Sequence, residues 1–543
     1  MKHILPLFLI LGLLTGCAAP AQPPVAETHP VSETAPVIPN PEDIPHESCF
    51  KGETMIRLTD TGMDVTGPDS LAVFGSNDII YYEDRDTYDS GNPYGEGEES
   101  DKHSAEEAAK HYVVNITEPG AYRVTGKLSA GQIRIDLGED AYDDPNAVVE
   151  LILDDADITC TVAPAILFLN VYECDGNWSE DTAKPDVDTS AAGANLILEG
   201  ENTVNGAYVA RIYKDKEDEK KLWKQDGAIY SYMSLNVFGP GKLTLNAANE
   251  GLDTELHLTI NRGNITIHSD NDAINTNEDG VSVTTINGGT LHIVAGLGAE
   301  GDGIDSNGYL VINGGTVISA AKPHSDSGLD SDKGSFIHGG TVVALGAAMD
   351  WAESDSEQVT MNLQFSQRQT SPLSIRREDS TDVFSFDPAA DPVLKDYDRG
   401  YQGAVLSCPA FQIGDAYQVF SGDVQMMYTS TDVMRGPGGF GGKGQRPEGG
   451  MPDFGDGQMP APPEGGFDGQ QPPEGFGGEF PTWPEGEPPA PPEGNPGSFD
   501  GPGGHHPEGE APAGEVSTLF FMQDKVNFFS GLTAGGDAPA GNS

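Results

Sequence analysis

The chain has 543 residues, with 86 acidic and 29 basic side chains and a formal net charge of −57. This charge excludes nucleic acid as a partner and argues against binding to an anionic membrane surface, because both require a positive protein face. The large excess of acids also suits an exported protein that works with bound divalent cations.

The N-terminus has the features of a secretion signal. Lys2 and His3 precede an apolar run over 4–14, which is too short for a permanent membrane-spanning helix. The run ends in Leu14-Thr15-Gly16-Cys17, which resembles the lipobox of bacterial lipoproteins. The resemblance implies cleavage before Cys17, lipid attachment to Cys17 and a location on the outer face of the cell membrane. An ordinary signal peptide with a stray cysteine is the alternative.

Composition and repeats divide the chain into seven segments, with ordered structure expected from about Tyr112. We predict a signal peptide at 1–16, a tether at 17–47, an irregular N-terminal region at 48–111, a β-helix at 112–350, a β cap at 351–434, a Gly/Pro-rich insertion at 435–515 and a terminal strand with a tail at 516–543. The tether is rich in Pro, Ala, Glu and Thr and cannot form a packed core.

Four cysteines follow Cys17, at Cys49, Cys160, Cys174 and Cys408. None of them forms a CxxC pair, so neither a zinc site nor a redox site is predicted. Cys160 and Cys174 are the nearest pair in sequence. A disulfide between them and two free buried thiols are both compatible with the sequence.

A two-part phrase recurs between Gly251 and Gly346. Its first part is a small residue, an aliphatic residue, Asp or Asn, and then Thr or Ser, and its four copies occupy 251–254, 273–276, 303–306 and 328–331. Its second part begins at Ile260, Ile286, Ile312 and Ile337, at spacings of 26, 26 and 25 residues. A period of this length is typical of a solenoid, in which each repeat packs against its neighbours.

Apolar residues at fixed places after the turns predict short strands that point inward. The first set is Leu243, Ile265, Leu291, Val317 and Val342, and the second, two residues later, is Leu245, Ile267, Ile293, Ser319 and Ala344. A leucine-rich repeat has a similar period, but its consensus is absent and β-branched residues disfavour its helical face. The sequence therefore predicts an all-β protein, a right-handed parallel β-helix with a C-terminal β cap.

The repeat fades after Asp350, and a cap is expected there because a solenoid must cover its apolar end. Strands of the cap are predicted around 361–365 and 383–386. Residues 435–515 consist mainly of Gly, Pro and Glu and are not expected to fold. The pattern alternates again over 518–529, which is predicted to rejoin the cap.

The repeats also place acids in rows, because strands of neighbouring coils lie about 4.8 Å apart. The first row, which we call the carboxylate row and expect to face outward, is Asp253, Asn275, Asp305 and Asp330. The second, which we call the turn row, is Glu250, Asp272 and Asp302, with Asp326 displaced by one place. Carboxylates at this spacing repel one another by about 1 kcal/mol per pair even in water, so the rows require protons or cations.

Calcium suits these rows because it takes six to eight oxygen ligands at about 2.3–2.6 Å. One ion can lie between carboxylates of adjacent coils. The predicted ligands are Glu250, Asp253, Asp272, Asn275, Asp302, Asp305, Asp326, Asp330 and Asp332. The alternative is that these side chains only cap turns by accepting hydrogen bonds from nearby amides. The nonapeptide of calcium-binding β-rolls is absent.

Catalysis is not favoured by the sequence. The G-H-G and R-I-K phrases of polygalacturonase-type hydrolases are missing. A polysaccharide lyase needs a partly neutral Lys or Arg as base, and Lys333, three residues after Asp330, is a weak candidate. Nearby carboxylates raise the pKa of a lysine, so Lys333 also fits the role of a counter-charge.

Residues 302–316 (Asp-Gly-Ile-Asp-Ser-Asn-Gly-Tyr-Leu-Val-Ile-Asn-Gly-Gly-Thr) resemble the repeat of the clostridial carbohydrate-binding β-helix family, and the likeness extends over about 112–420. Members of that family are exported, often lipid-anchored, and similar to calcium-dependent family 9 pectate lyases. The resemblance implies binding of plant cell-wall polysaccharide, with polygalacturonate as the first expected ligand and cellulose as the second. We expect the protein to be a monomer. It also implies bound calcium held by the two rows, and no established catalysis. A calcium-dependent lyase and a surface adhesin that uses the solenoid as a stalk remain the alternatives.

Overall fold

The computed structural model describes residues 46, 48–82, 100–212, 223–347, 350–428 and 516–535. Within these ranges it contains β-strands, one short α-helix, α1 (Ala105–Ala108), and two 3₁₀ helices at Ser70–Ala72 and Glu139–Asp143. The predicted signal peptide, almost all of the tether and the Gly/Pro-rich insertion lie outside the described residues, and so does Cys17. No helix in the described ranges is long and apolar enough to cross a membrane.

The strands are numbered in chain order. Three precede the coils: β1 (Glu53–Thr59), β2 (Gly62–Thr66) and β3 (Val73–Ser76). The first coils contain β4 (Tyr112–Ile116), β5 (Gly120–Leu128), β6 (Gly131–Asp136), β7 (Val149–Thr159), β8 (Ile166–Asn170), β9 (Ala194–Glu199), β10 (Glu201–Gly206), β11 (Val209–Ile212), β12 (Trp223–Gln225), β13 (Gly227–Ser231), β14 (Leu235–Phe238) and β15 (Lys242–Ala247).

The regular coils contain β16 (Glu250–Thr254), β17 (Leu258–Ile260), β18 (Asn264–Ser269), β19 (Ile274–Thr276), β20 (Val283–Ile286), β21 (Thr290–Val294), β22 (Ile304–Ser306), β23 (Tyr309–Ile312), β24 (Thr316–Ala320), β25 (Asp330–Ser331), β26 (Gly334–Ile337) and β27 (Thr341–Gly346). The cap contains β28 (Thr360–Gln369), β29 (Leu373–Arg376), β30 (Asp382–Phe386), β31 (Tyr401–Ser407), β32 (Ala416–Ser421), β33 (Val424–Met427), β34 (Phe520–Phe521) and β35 (Val526–Ala534).

The coils form three parallel ladders, which confirms the predicted parallel β-helix. The first ladder runs β7-β9-β14-β17-β20-β23-β26, the second β7-β10-β15-β18-β21-β24-β27, and the third β4-β6-β8-β13-β16-β19-β22-β25. Each coil crosses the ladders in the order third, first, second. Each strand therefore pairs with its equivalent in the next coil.

The core is built from the inward-facing positions that the periodicity predicted. Leu243, Ile265, Leu291, Val317 and Val342 pair in register along the second ladder, and each is at most 1% exposed. The positions two residues later also pair in register and are buried. Stacking of like residues along the solenoid removes one continuous apolar column from water.

The second repeated phrase forms the turn between the first and second ladders. Asn287 Nδ2 donates to Asn261 Oδ1, and Asn313 Nδ2 donates to Asn287 Oδ1, each at 2.8 Å. Gly315 follows with a φ of 80°, and a Cβ there would lie 2.7 Å from the carbonyl oxygen of Gly289. Only glycine suits such a position, because other residues rarely adopt this φ and have no room for a side chain.

Ordered structure begins earlier than the sequence analysis predicts. Strand β1 pairs in parallel with β5 and in antiparallel with β2, and β3 pairs in antiparallel with β4. Thr54, Ile56 and Leu58 alternate with exposed residues along β1 and are buried. This segment therefore extends the sheets beyond the first coil, at the N-terminal end of the solenoid, so 48–111 is only partly irregular.

The C-terminal cap is a second, antiparallel-rich core joined to the last coil. Strand β27 pairs in antiparallel with β31, β31 with β28, and β28 in parallel with β35. Strands β28 and β30 cover the two predicted cap segments, and β34 and β35 lie in the segment predicted to rejoin the cap. Phe365, Tyr401 and Phe529 are buried in this core.

The thiols of Cys49, Cys160, Cys174 and Cys408 are free, so Cys160 and Cys174 are not bonded to each other. The long loop between β8 and β9 contains Cys174 and packs against later coils. Thr189 Oγ1 from this loop donates to Asn236 Oδ1 at 2.8 Å, and Tyr309 Oη donates to the carbonyl of Ala183 at 3.4 Å. These bonds fasten the loop to the outer face of the first ladder.

Candidate metal centre

The carboxylate row exists in the register that the repeat predicts. Asp253 pairs with Asn275, Asn275 with Asp305, and Asp305 with Asp330, on four neighbouring strands of the third ladder. The first position of the repeated phrase takes a small residue because the backbone of the next coil lies close to it. A Cβ on Gly251 would lie 2.4 Å from the carbonyl oxygen of Ala273 in the next coil.

The turn row also lies on successive coils. Gly251 N donates to the carbonyl of Asp272 and Ala273 N to that of Asp302, so the residues before them occupy equivalent places. Asp272 Oδ1 accepts from the backbone N–H of Asp302 at 2.6 Å, and Asp326 Oδ2 accepts from that of Gly301 at 2.9 Å. Several carboxylates of the turn row therefore cap turns, as the alternative interpretation of the sequence holds.

The two ends of the carboxylate row differ in burial. Asp253 is 0% exposed and Asn275 6%, whereas Asp305 and Asp330 are half-buried and Asp332 is exposed. The row is therefore not open to solvent along its whole length, because protein covers its N-terminal end. Asp253 lies against Gly227, whose missing side chain makes room for it: a Cβ on Gly227 would lie 2.5 Å from Asp253 Cβ.

Three buried acids converge at that end, and we call Asp226, Glu250 and Asp253 the acidic triad. Asp226 directly precedes β13, and the other two lie on the adjacent strand β16. One carboxylate oxygen from each residue lies within 4.8 Å of those of the other two. The three side chains are 8%, 4% and 0% exposed. Lys224 forms an ion pair with Asp226.

Two oxygens of the triad and one on the next strand, β19, have no hydrogen-bond partner among the described residues. They are Glu250 Oε2, Asp253 Oδ2 and Asn275 Oδ1, and all three are shielded from solvent. Buried polar atoms are nearly always paired, and an unpaired one costs about 1–3 kcal/mol. Three such acceptors on two neighbouring strands fit a cation, because a hard cation takes carboxylate and amide oxygens as ligands. The triad can therefore hold a metal ion.

The pKa values of the triad also show that its carboxylates are unfavourable in their charged form. Burial, and then the negative charge of Glu250, raise the pKa of Asp253 well above its usual range. Burial also raises the pKa of Asp226 to about 7, although the ammonium of Lys224 opposes this rise. Burial lowers the pKa of Lys224, but the three carboxylates raise it more, so this lysine stays charged. Without a metal the triad therefore retains protons near neutral pH.

A second group of acids lies at the other end of the row, and we call Asp302, Asp305, Asp330 and Asp350 the distal cluster. Burial, and then the charge of Asp330, raise the pKa of Asp302 to about 8 and that of Asp350 to about 7. The backbone N–H of Ser331 donates to Asp330 Oδ1 at 3.0 Å and to Asp350 Oδ2 at 3.1 Å. Asp350 follows the last coil, and its carboxylate lies next to that of Asp330, the last member of the carboxylate row.

Lys333, the weak candidate for a catalytic base, forms an ion pair with Glu180 from the loop between β8 and β9. The hydrogen bond with Glu180 raises the pKa of Lys333 above its ordinary value. A lyase base must be partly neutral, so this contact fits a counter-charge better than a base.

Sequence reasoning missed Asp226, Lys224 and Asp350. A signal for Asp226 was present, because Ala228-Ile229-Tyr230-Ser231 is a further copy of the first repeated phrase. Tyr230 stands where the other copies have Asp or Asn, and it pairs in register with Asp253. The acid of this coil lies four residues earlier, at Asp226, so a search for the full phrase overlooks it.

Comparisons with known proteins agree with the predicted function class. Residues 110–369 match a family described as "Carbohydrate-binding domain-containing protein". A protein of Acetivibrio thermocellus with the same description is 29% identical over 155 residues, which are 28% of this chain and 44% of that protein. The chain thus spans less than half the length of this relative.

One solved structure is also similar, that of a polysaccharide lyase-like protein from C. thermocellum, described as a gadolinium derivative. It is 21% identical, with 53% of this chain and 93% of that chain covered and a TM-score of 0.30. A likeness at this level carries no argument about activity. The matched range, residues 110–369, contains all the regular coils and both acidic rows.

Proposed function

We propose that this protein is a lipid-anchored cell-surface protein that binds acidic plant polysaccharide, with polygalacturonate as the expected ligand, through calcium ions held by its acidic rows. The observation that carries the proposal is the acidic triad, in which Glu250 Oε2 and Asp253 Oδ2 are buried and unpartnered, together with a third such oxygen, Asn275 Oδ1, on the strand next to Asp253. A cation supplies what all of these oxygens lack.

The two ends of the rows would serve different purposes. An ion at the acidic triad is buried on all sides by protein, so its expected role is to hold β13, β16 and β19 together. The distal cluster is half-buried, so an ion there would keep coordination positions open to solvent. Because calcium takes six to eight ligands, such an ion can accept oxygens from protein and glycan together.

Charge favours this bridging over direct contact. A galacturonate chain is anionic, and this protein carries a net charge of −57. Direct approach of the two is repulsive, whereas a divalent cation between them attracts both. The anchor through Cys17 belongs to the same proposal, because it would keep the binding domain at the cell surface.

The test is a polygalacturonate pull-down with the full chain purified in detergent, in calcium and in excess chelator. Retention is expected in calcium and loss is expected in chelator, with circular dichroism showing that the protein stays folded in both. Unchanged retention by folded, chelated protein would contradict bridging. Absorbance of unsaturated product in the same samples separates a lyase from a binder, and no product is expected. A glycan screen that retains no carbohydrate would favour the adhesin.

Cys17 is tested separately in cells. Replacement of Cys17 by alanine is expected to release the protein from the membrane fraction, because a lipidated cysteine is then missing. If Cys17→Ala protein stays in the membrane fraction, the proposed anchor is wrong, whatever the outcome of the binding experiment.

A further inference from the structure

A groove separate from the acidic triad lies on the outer face of the second ladder. Its volume is about 460 Å³. Thr159, Asn205, Asn246 and His268 form its floor, one residue from each of four neighbouring strands, in register with one another. With neighbouring strands about 4.8 Å apart, this row is roughly 14 Å long, which suits a short oligosaccharide.

The floor is a continuous line of polar groups held in fixed orientations. Asn205 Nδ2 donates to Thr159 Oγ1 at 3.0 Å, and Asn246 Nδ2 donates to Asn205 Oδ1 at 2.8 Å. An amide nitrogen has two N–H donors, and each asparagine uses one of them within the row. The second donor of each can serve a ligand, and the row itself keeps the amides oriented.

His268 continues this row and is poised for a ligand. Its Nδ1 is shielded from solvent and has no partner among the described residues. Burial, and then the positive charge of Arg399, lower the pKa of His268, so the ring is neutral at pH 7. A neutral imidazole offers one donor and one acceptor, which is what a sugar hydroxyl needs.

One wall of the groove comes from the cap. Tyr397, from the loop between β30 and β31, is 37% exposed, and its ring centroid lies 5.6 Å from that of His268. Arg399 lies over this ring, with its guanidinium carbon 5.7 Å from the ring centroid and its Nη1 donating to the carbonyl of Ala321 at 2.9 Å. Leu297, 38% exposed, adds a second apolar surface.

The charge of the lining separates this groove from the acidic rows. Asp270 is the single charged side chain among the lining residues that the structure describes, and its charge is negative. A uronate would be repelled by it, whereas hydroxyl groups can donate to it. Aromatic and apolar surface with a few fixed polar groups is the usual composition of a small-ligand site, and a pyranose ring presents a C–H face that packs on a tyrosine ring.

We infer that this groove is a second carbohydrate subsite, which binds a neutral stretch of polysaccharide without calcium. Sugar hydroxyls bond to Asn205, Asn246 and His268, and one pyranose ring packs on Tyr397. The inference rests on the carbohydrate-binding part of the proposed function but not on its calcium ions. A polysaccharide with neutral and acidic segments could then engage the groove and the distal cluster together.

The test uses the full chain in excess chelator, with calorimetric titration of three neutral probes: cellohexaose, xylohexaose and mannohexaose. At least one is expected to bind. Tyr397→Ala is expected to weaken that binding about tenfold, because it removes the stacking surface. Tyr397→Phe keeps the ring and is expected to bind within about twofold of the unaltered protein. Phe521→Ala, at an aromatic of the cap that is 48% exposed, is the matched control and is expected to change nothing.

A further variant, Asn246→Ala, is expected to weaken binding about fivefold, which corresponds to the loss of one ordinary hydrogen bond. Thermal melting confirms that each variant is folded. If none of the three probes binds, or if Tyr397→Ala binds as tightly as the unaltered protein, the subsite is wrong. Hexagalacturonate with calcium is titrated in parallel. Loss of acidic-glycan binding at the acidic rows and loss of neutral-glycan binding in the groove are then separate results.

Discussion

Asp253 and Asp330 occupy the same place in the repeat, in register along one ladder, yet their surroundings are opposite. Asp253 is fully buried among Asp226, Glu250 and Lys224, whereas Asp330 is half-buried beside Asp350. The repeat therefore decides where a carboxylate is placed, but the neighbouring coil decides what it can do. A buried carboxylate can hold an ion for stability, and a half-buried one can also present an ion to a ligand.

The largest expected effect is on the calcium-dependent stability of the protein, when one carboxylate is neutralised at either end of the carboxylate row. In calcium at about 1,000 times its dissociation constant, bound ion should raise the free energy of unfolding by about 4 kcal/mol. Asp253→Asn should lose most of this gain, because it removes a buried ligand. Asp330→Asn, the matched change at the exposed end, should keep most of it. Urea unfolding in calcium and in chelator measures both variants.

The same pair of variants has a second expected outcome without calcium. In chelator, Asp253→Asn should be at least as stable as the unaltered protein, because the substitution relieves repulsion within the triad. A variant that unfolds more easily in chelator, or that gains as much from calcium as the unaltered protein, would show that the triad does not bind the ion.

The next largest expected effect is the pH dependence of folding stability in the absence of calcium. Asp226 and Asp350 have pKa values of about 7 and Asp302 about 8, against about 3.9 in an unfolded chain. The folded protein therefore keeps protons that the unfolded chain releases, so stability should fall as the pH rises from about 4 to about 8. Urea midpoints in chelator should be lower at pH 8 than at pH 5. Calcium should flatten this dependence, and a midpoint that rises over this range would contradict the assignment.

A smaller effect is expected at Lys224, the cation of the triad. Lys224→Met leaves Asp226 without its ion pair, which should cost about 1–3 kcal/mol in chelator. The matched control is Lys242→Met, which breaks the exposed pair with Glu201 and should cost less than about 1 kcal/mol. Calcium should reduce the cost at Lys224, because the ion replaces the missing charge. If the two variants lose the same free energy of unfolding, the Lys224–Asp226 pair behaves like an exposed ion pair and the triad is in contact with water.

The smallest effect is expected at the exposed end. Lys333→Ala breaks the pair with Glu180, and an exposed ion pair contributes less than about 1 kcal/mol. Polygalacturonate binding in calcium should be unchanged, and chemical denaturation with a pull-down measures both quantities. A loss of product formation on this substitution, if any product forms, would instead restore Lys333 as a base.

Much of this architecture could be predicted because the length of a repeat and its apolar pattern determine the coil. The spacing of Ile260, Ile286, Ile312 and Ile337 defines the coil length, and period-two alternation identifies the inward residues. From these, the registers of Asp253, Asn275, Asp305 and Asp330 follow without further information. The prediction of both rows depended on nothing outside the repeat.

The parts that could not be predicted come from outside the regular coils. The burial of Asp253 depends on Asp226 and Gly227, in a coil whose copy of the phrase contains Tyr230. The groove depends on Tyr397, which the cap places opposite a strand more than one hundred residues earlier. Strand β1 was missed because its parallel partner β5 follows a long polar segment. Contacts between distant segments leave no period in the sequence.

Tyr428 and Ser517 flank residues 429–515 in the sequence and bond to each other through both backbone groups, with N···O distances of 3.0 and 3.2 Å. A peptide loop of almost any length can therefore join them without disturbing the surrounding strands, since closure entropy grows only slowly with length. Deletion of residues 429–515 with a short linker should leave the β-helix intact. A fluorescent domain inserted there should leave the β-helix folded, which makes this junction a site for building a reporter of the proposed glycan binding.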